Sequence, residues 1–355
     1  MKKTFRFIII FLIILSLSVP ISLYAMGAGD LDVALEVDDE EDFEIIFDVA
    51  FAGDSEITSK AAIVIDYYTG IVIFEHNADE LRVPASMVKM VAVHVVLDAI
   101  KDGFVNLNTI VDISNRTRAF SYNRAFSNVP LLLESTYTIS ELLDVVIVRS
   151  ASAATIALGE AIFGSEEALI GKMNEKAATL GVIAEFHDSW GGSPFNRVSA
   201  RGMAEMTRAL IKEHPEVLEI TSQSYVVFDE TEYNNTNWLL SNFEGLDGFK
   251  TGFTNPAGWC FTGTAVQGGR RIISVTMGSE PGFRFPDSTI LLNYGFSSFN
   301  QTMAHHFRNA VNPLYSNPLY TNPISPRIIV PIILYNIEEA SHFTLRDLAL
   351  ILGNN

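Results

Sequence analysis

The sequence predicts an α+β protein: an antiparallel sheet made from both ends of one domain packs against helices, with a mostly helical subdomain between the ends. Stretches rich in β-branched residues occur near residues 61–75 and after residue 258, whereas the chain between them shows helical spacing of apolar residues. Strands at both ends of a domain are typical of a fold in which they complete one sheet. The 355-residue chain is long enough to bury a large core.

The predicted domain opens with a β-hairpin over 62–66 and 71–75, whose turn passes through Tyr68-Thr69-Gly70. A helix follows from Ser86 to Ile100 and ends before Asp102-Gly103. Further helices are predicted over 139–148, 153–163, 166–180 and 200–213, and further strands over 259–266 and 271–278. We therefore expect one globular domain over residues 60–300.

Residues 1–25 resemble an export signal peptide. They combine a basic start, an apolar run from Phe7 to Leu15, and Ala25 just before Met26. An uncleaved membrane anchor is the alternative, because the stretch from residue 7 to 25 is almost long enough to span a bilayer. In either case we expect an exported protein in the cell wall or on the outer face of the membrane, with membrane contact only through residues 1–25 and only if they are not cleaved.

The formal charge of -18 is unevenly distributed along the chain. Twelve Asp and Glu residues lie between the basic N-terminus and Lys60, so residues 26–59 are predicted to form an extended acidic spacer. The alternation of apolar and acidic residues from Phe43 to Val49 leaves an edge strand open as an alternative. A chain this acidic lacks the basic surface that nucleic acids require, so we expect no nucleic-acid partner.

Ser86 and Lys89 form a Ser-x-x-Lys pattern after Pro84-Ala85, at the start of an apolar helix. A three-residue spacing places the hydroxyl and the amine on one helix face, where a partly desolvated Lys can take the Ser proton. The helix N-terminus adds donors for a developing oxyanion. By itself the pattern is also compatible with a plain helix-capping serine.

Two further motifs follow in order, Ser150-Ala151-Ser152 and Asp247-Gly248-Phe249-Lys250-Thr251-Gly252-Phe253. With them the chain resembles the penicillin-binding D-alanyl-D-alanine carboxypeptidases, which are serine peptidases related to the β-lactamases. The resemblance extends over about residues 61–299 and includes segments 82–86, 139–143, 198–204, 235–240 and 291–296. It implies the β-lactamase/DD-peptidase-like fold.

The resemblance also implies a mechanism. Ser86 would attack the terminal D-Ala-D-Ala bond of peptidoglycan stem peptides, Lys89 would be its general base, and Ser150 would relay a proton to the leaving D-alanine. Lys250 and Thr251 would bind the substrate carboxylate, Gly252 completes their motif, and the N–H groups of Ser86 and Phe253 would form the oxyanion hole. β-Lactam antibiotics would be covalent inhibitors, and no cofactor or metal is expected.

The second motif departs from the family pattern. Ser152 stands where the family has Asn, and Ala153 replaces the usual acidic residue after it. Because a hydroxyl is shorter than a carboxamide and offers fewer hydrogen bonds, contacts to Lys89 and to the substrate amide could weaken. A catalytically impaired member that binds wall peptides is therefore the alternative function. A β-lactamase is disfavoured because residues 186–196 contain no Glu for deacylation.

Other candidate residues carry weaker signals. His187 beside Asp188 invites a triad hypothesis, although a loop histidine is the simpler interpretation. His305-His306 lacks carboxylate or Cys partners at ligand spacing, and Cys260 is predicted to be a buried core thiol.

The C-terminal part of the chain is predicted to lie outside the domain. An Asn-Pro repeat over 312–326 favours a semi-extended linker, placed at residues 301–327. Residues 328–355 are either a plain amphipathic helix or a truncated wall-associated module, similar to the copper amine oxidase-like N-terminal type, which implies no copper.

Overall fold

The computed structural model describes residues 57–315. The predicted signal peptide, almost all of the acidic spacer and residues 316–355 therefore lie outside the described residues. Within the described range no helix combines the length and the apolar character needed to cross a membrane.

A five-stranded antiparallel sheet forms the centre of the fold, with strand order β2-β1-β11-β10-β9. Its strands are β1 (Ala61–Asp66), β2 (Val72–His76), β9 (Leu246–Thr254), β10 (Gly258–Gln267) and β11 (Arg270–Ser279). The N-terminal hairpin pairs with the C-terminal strands, and Ile63 lies opposite Val275 in the β1–β11 register. The prediction that both ends of the domain build one sheet is confirmed.

Eight α-helices surround this sheet in the described range. Their bounds are α1 (Val88–Lys101), α2 (Asn115–Ser121), α3 (Ile139–Val148), α4 (Ser152–Phe163), α5 (Glu166–Thr179), α6 (Ala200–Glu213), α7 (Val217–Thr221) and α8 (Arg284–Tyr315). Short two-stranded ladders join β3 (Ile110–Val111) to β4 (Tyr137–Thr138), β5 (Ala184–Glu185) to β6 (Arg197–Val198) and β7 (Tyr225–Phe228) to β8 (Thr231–Asn234).

Helices cover both faces of the sheet, which explains why every residue of β1 is buried. Ile63 and Ile65 belong to the main core together with the apolar faces of α1, α3, α4 and α6. On the other face, α8 approaches so closely that a Cβ on Gly295 would lie 2.9 Å from Val64. The sheet is therefore the middle layer between α8 and the helical subdomain.

Local sequence signals explain where the main helices begin. Thr138 accepts a hydrogen bond from the Glu141 N–H, and the Glu141 carboxylate accepts one from the Thr138 N–H, so a capping box starts α3. Ser165 and Ser199 cap α5 and α6 through their hydroxyl oxygens, each of which accepts a hydrogen bond from a backbone N–H of the first turn. The predicted bounds of α3 and α6 agree with the structure.

Several boundaries differ from the sequence prediction. The Lys250 segment was not among the predicted strands, but it forms the edge strand β9. Ile57 and Ser59 are buried, and the Ser59 hydroxyl donates to Asp287 at 2.6 Å, so residues 57–59 belong to the domain rather than to the spacer. Helix α8 continues past residue 300 to Tyr315 because residues 301–311 contain neither Pro nor Gly to end it. The predicted linker over residues 301–327 is therefore wrong for residues 301–315, which are helical.

Candidate active site

Ser86 lies in a tight 3-10 turn, Ala85–Met87, that leads directly into α1. Ala85 has a φ of 51°, a conformation that non-glycine residues rarely adopt. Two glycines let other segments of the chain approach this turn closely. A Cβ at Gly191 would lie 2.1 Å from the Ala85 carbonyl oxygen, and a Cβ at Gly252 would lie 2.7 Å from the Pro84 carbonyl oxygen. The turn is therefore clamped between a loop and β9.

Lys89 is fully buried directly behind Ser86. Its Nζ lies 2.9 Å from Ser86 Oγ, as expected for residues three apart on one helix face, and donates to the Trp190 carbonyl oxygen at 2.6 Å. Burial lowers the pKa of Lys89 to about 7, although the nearby Asp188 carboxylate opposes that shift. A substantial fraction of this amine is therefore neutral at neutral pH.

The loop that carries Trp190 is fixed by the carboxylate of Asp188. This carboxylate accepts hydrogen bonds from the backbone N–H groups of Gly191 at 2.8 Å and Ser193 at 2.5 Å, and from the Asn196 amide at 2.8 Å. Buried charge-assisted bonds of this kind hold a loop rigidly. Asp188 thereby positions the carbonyl that binds Lys89.

Ser150 lies between α3 and α4 with a positive φ of 65°. Its hydroxyl is buried and has no hydrogen-bond partner among the described residues. Ser152 begins α4, and its backbone N–H donates to the Ser127 carbonyl at 2.9 Å. Since a buried hydroxyl without a partner is costly, the Ser150 hydroxyl is available to bond a ligand atom in the cleft.

The strand β9 supplies the opposite wall of the site. Lys250 is buried, and desolvation, together with the nearby Lys89 and Arg284, lowers its pKa well below the ordinary value. The Thr251 hydroxyl donates to the Thr236 hydroxyl at 2.8 Å. This part of the site carries a strong excess of basic groups and therefore favours an anion.

These elements enclose a cleft of about 220 Å³. It is lined by six of the predicted site residues and by others that include Trp190, Thr236 and Arg284; the six are Ser86, Ser150, Ser152, Thr251, Gly252 and Phe253. Lys89 and Lys250 are buried behind this lining. The structure thus brings together all eight residues that the sequence singled out.

Three contributors to the cleft were not predicted as site residues. Trp190 acts through its backbone oxygen, which no side-chain pattern reveals, whereas Thr236 belongs to a segment that we noted only for its family resemblance. Arg284 lies at the start of α8, with its guanidinium 4.5 Å above the Trp259 ring and one N–H donating to the Gly252 oxygen at 3.3 Å. No local motif marks it.

The weaker sequence candidates fall outside the cleft. His187 pairs with Glu185 at 2.9 Å and is exposed, which supports the loop interpretation over the triad. Cys260 is buried in the sheet, and burial raises the pKa of its thiol to about 11, so the core-thiol prediction is confirmed. The side chains of His305 and His306 lie outside the described residues.

Comparison with known proteins shows how widely this arrangement is shared. The D-alanyl-D-alanine carboxypeptidase family model matches residues 48–281. The D-alanyl-D-alanine carboxypeptidases DacC of Escherichia coli and DacF of Bacillus subtilis are 33% and 30% identical to the chain. These matches cover 68% and 69% of this chain and 62% and 66% of the relatives. The chain thus spans just under two thirds of their length.

Solved structures agree with this result. A peptidoglycan synthesis regulatory factor (PBP3) from Streptococcus pneumoniae is 34% identical, with a TM-score of 0.65 over 68% of this chain and 72% of that protein. Penicillin-binding protein D2 from Listeria monocytogenes, in its cefotaxime-bound form, is 29% identical, with a TM-score of 0.62 over 68% of this chain and 98% of that protein. The DD-peptidase-like fold is confirmed, and the chain belongs to the D-alanyl-D-alanine carboxypeptidase family of serine peptidases.

Proposed function

We propose that this protein is a serine D-Ala-D-Ala carboxypeptidase that removes the terminal D-alanine from peptidoglycan stem peptides through an acyl-enzyme on Ser86. One observation carries the proposal: a fully buried amine, Lys89, lies 2.9 Å from the Ser86 hydroxyl and has a pKa of about 7. Activated nucleophiles of this kind need a base within hydrogen-bond reach that is neutral at working pH.

In acylation, Ser86 Oγ attacks the carbonyl carbon of the penultimate D-alanine while its proton passes to Lys89 Nζ. The Trp190 carbonyl accepts a hydrogen bond from Nζ and so directs the lone pair of the neutral amine toward Ser86. The C–N bond then breaks, and Ser150 passes its proton to the leaving amino group while it takes up the proton held by Lys89. Its unpartnered hydroxyl fits this relay because no competing bond fixes it.

The developing oxyanion would be bound by the backbone N–H groups of Ser86 and Phe253. The site for a Cβ on Gly252 lies only 3.3 Å from the Ser86 nitrogen, so β9 and the nucleophile turn are close enough to share one oxygen. Main-chain donors at a helix N-terminus are suited to such a charge. This role tolerates Phe253, since its side chain takes no part.

The substrate's terminal carboxylate would bind between Lys250, Thr251 and Arg284. An anion there would restore the charge of Lys250, whose pKa is lowered by burial and by the neighbouring Lys89 and Arg284. Arg284 is itself largely buried, which lowers its pKa to about 10. β-Lactams carry a carboxylate in a similar position, and the relatives from Listeria monocytogenes have been observed with cefotaxime and ampicillin.

Water would then hydrolyse the acyl-enzyme. A β-lactamase would need a carboxylate for rapid deacylation, and no Asp or Glu is among the described residues that line the Ser86 cleft. This favours a peptidase with a long-lived penicillin adduct over a β-lactamase.

We further propose that the protein acts outside the cytoplasm, where its substrate is found. Residues 1–25 would direct export, and the acidic segment that follows would separate the domain from the membrane. Since the chain matches wall-synthesis enzymes, an extracytoplasmic location agrees with the family.

The test is covalent labelling by a fluorescent penicillin combined with release of D-alanine from a D-Ala-D-Ala peptide. We expect one label per chain and measurable D-alanine release, both abolished by Ser86→Ala. The matched control is Ser127→Ala, a serine that lines the same cleft and should leave labelling intact. If neither labelling nor release occurs in a folded wild type, the wall-peptide binding function takes its place.

We expect Ser152→Asn to accelerate acylation by about threefold to tenfold, because a carboxamide adds a hydrogen bond to Lys89 or to the substrate amide. The measurement is the second-order rate constant of penicillin acylation. Ser152→Ala is the control and should be slower than the wild type. A rate for Ser152→Asn at or below that of the wild type would show that the surrounding site is adapted to serine.

A further inference from the structure

A second cluster of ionisable side chains lies where three helices of the subdomain meet. His94 and Asp98 are one turn apart on α1, while Glu213 and His214 are the last residue and the C-cap of α6. One ligand atom from each of these four residues lies within 4.8 Å of the others. We refer to these four residues as the His/carboxylate cluster.

The cluster is tightly organised. His94 Nε2 lies 2.9 Å from Glu213 Oε2, and His214 Nε2 lies 2.8 Å from Asp98 Oδ1. The two imidazole rings are 5.5 Å apart and nearly perpendicular. Both histidines are buried, whereas both carboxylates are about one third exposed, so the cluster opens to solvent on its acidic side.

Lys176 on α5 supplies a cation to the cluster. Its Nζ lies 2.7 Å from Asp98 Oδ2 and 2.9 Å from Glu213 Oε2. The side chain is 16% exposed and reaches the carboxylates on a flexible stem. The two carboxylates therefore face a positive charge at the edge of the cluster.

We propose that the His/carboxylate cluster is a binding site for Zn²⁺, in which the metal takes the place of the Lys176 ammonium. Two imidazole nitrogens and two carboxylate oxygens form a donor set that suits Zn²⁺. This site is separate from the Ser86 cleft, and the proposal does not depend on the proposed peptidase activity.

The geometry requires only small movements. With metal–ligand bonds of about 2.1 Å, the ligand atoms of a tetrahedral site lie about 3.4 Å apart. The nitrogen–oxygen distance in each His–carboxylate pair would lengthen by about 0.5 Å. The longest distance between any two ligand atoms would shorten by about 1.4 Å. Side-chain rotation at Asp98 and Glu213, which are about one third exposed, can supply these shifts. The metal would then link α1 to the end of α6.

The first experiment titrates the full chain, freed of metal with a chelator, with Co²⁺ as a spectroscopic substitute for Zn²⁺. We expect one Co²⁺ per chain with the intense visible bands of four-coordinate Co²⁺, and loss of these bands when Zn²⁺ is added. A stoichiometric excess of Zn²⁺ should also raise Tm by about 5 °C. Weak bands typical of six-coordinate Co²⁺, or no change in Tm, would overturn the proposal.

Variants locate the site. Glu213→Gln and Asp98→Asn should each weaken Zn²⁺ binding at least about tenfold, whereas Lys176→Met, which removes the competing ammonium, should tighten it about tenfold. His187→Gln is the matched control because it removes a similar His–Glu pair, at 2.9 Å, from an exposed loop. The circular dichroism spectrum should be unchanged in every variant, which shows that each is folded.

A second control concerns His305 and His306, which are adjacent to each other in the C-terminal part of the chain. A His305→Ala/His306→Ala variant should bind Zn²⁺ as tightly as the wild type. Zn²⁺ binding that is lost in this variant but kept in Glu213→Gln would place the metal elsewhere and overturn the proposal. Equal affinities for Lys176→Met and the wild type would do the same.

Discussion

Methionine in place of Lys89 is expected to slow the acylation of Ser86 by penicillin about a thousandfold. Methionine fills the space of the buried lysine stem but cannot accept the Ser86 proton. Lys89 Nζ lies 2.9 Å from Ser86 Oγ, whereas the Trp190 oxygen lies 3.5 Å away and is an amide carbonyl of negligible basicity. The rate constant is measured by quenching reactions with fluorescent penicillin over time.

Two further variants separate base catalysis from packing and charge. Lys89→Arg keeps a cation, but arginine stays protonated at neutral pH and cannot accept the Ser86 proton. We therefore expect its acylation rate to fall as much as that of the methionine variant. Lys172→Met removes an exposed lysine that pairs with Glu175 and should acylate at the wild-type rate. A Lys89→Arg variant with near wild-type activity would show that Lys89 serves as a charge and not as a base.

The pH dependence of the wild type provides an independent check. Because the acylating form has a neutral Lys89 with a pKa of about 7, the rate constant should fall about tenfold per pH unit below pH 7 and level off above it. Asp188→Asn removes the carboxylate that raises this pKa, so the midpoint should move to lower pH. A midpoint near the ordinary lysine value would contradict the assignment.

The sequence predicted the site well where the chemistry depends on local spacing. Ser86 and Lys89 are three residues apart on one helix, so their proximity follows from helix geometry alone. Lys250, Thr251 and Gly252 are consecutive on one strand and reach the cleft together. What brings these segments to one place is the sheet formed by both ends of the domain, which the β-branched stretches near residues 61–75 and after residue 258 also indicated.

The sequence could not predict contacts that depend on the tertiary fold. Trp190 contributes a carbonyl oxygen whose position is set by the Asp188 hydrogen bonds of a loop more than a hundred residues from Lys89. Arg284 was missed because its role depends on where α8 begins relative to Trp259. The His/carboxylate cluster was missed for the same reason, since its two halves are separated by most of the helical subdomain.

Lys250→Met is expected to lower the acylation rate constant about a hundredfold, because the substrate or penicillin carboxylate loses a buried charged partner. The effect should depend on the ligand carboxylate. For a penicillin methyl ester, which lacks that charge, the wild type should react slowly, and the variant should react at nearly the same rate as the wild type. An equal hundredfold loss for the acid and the ester would show that Lys250 positions Ser86 or Lys89 rather than binding the carboxylate.

The same substitution should stabilise the fold while it impairs the reaction. Lys250 is buried, its Nζ donates a long hydrogen bond to the Thr251 carbonyl at 3.4 Å, and desolvation lowers its pKa in the folded state. Replacing it with an apolar side chain of similar length should raise the free energy of unfolding by about 1–3 kcal/mol, as seen when buried charges are replaced. Denaturant unfolding, followed by circular dichroism, measures this difference.

The stability gain should depend on pH in a definite direction. A lysine whose folded pKa lies below its unfolded value of 10.5 binds more protons in the unfolded state between those two values, so wild-type stability rises with pH in that range. The methionine variant lacks this dependence. The difference in unfolding free energy between the two proteins should therefore be largest at low pH and narrow as the pH approaches 10. If the difference in unfolding free energy instead widened with pH, Lys250 would stabilise the folded state. Its burial would then carry no free-energy cost for substrate binding to relieve.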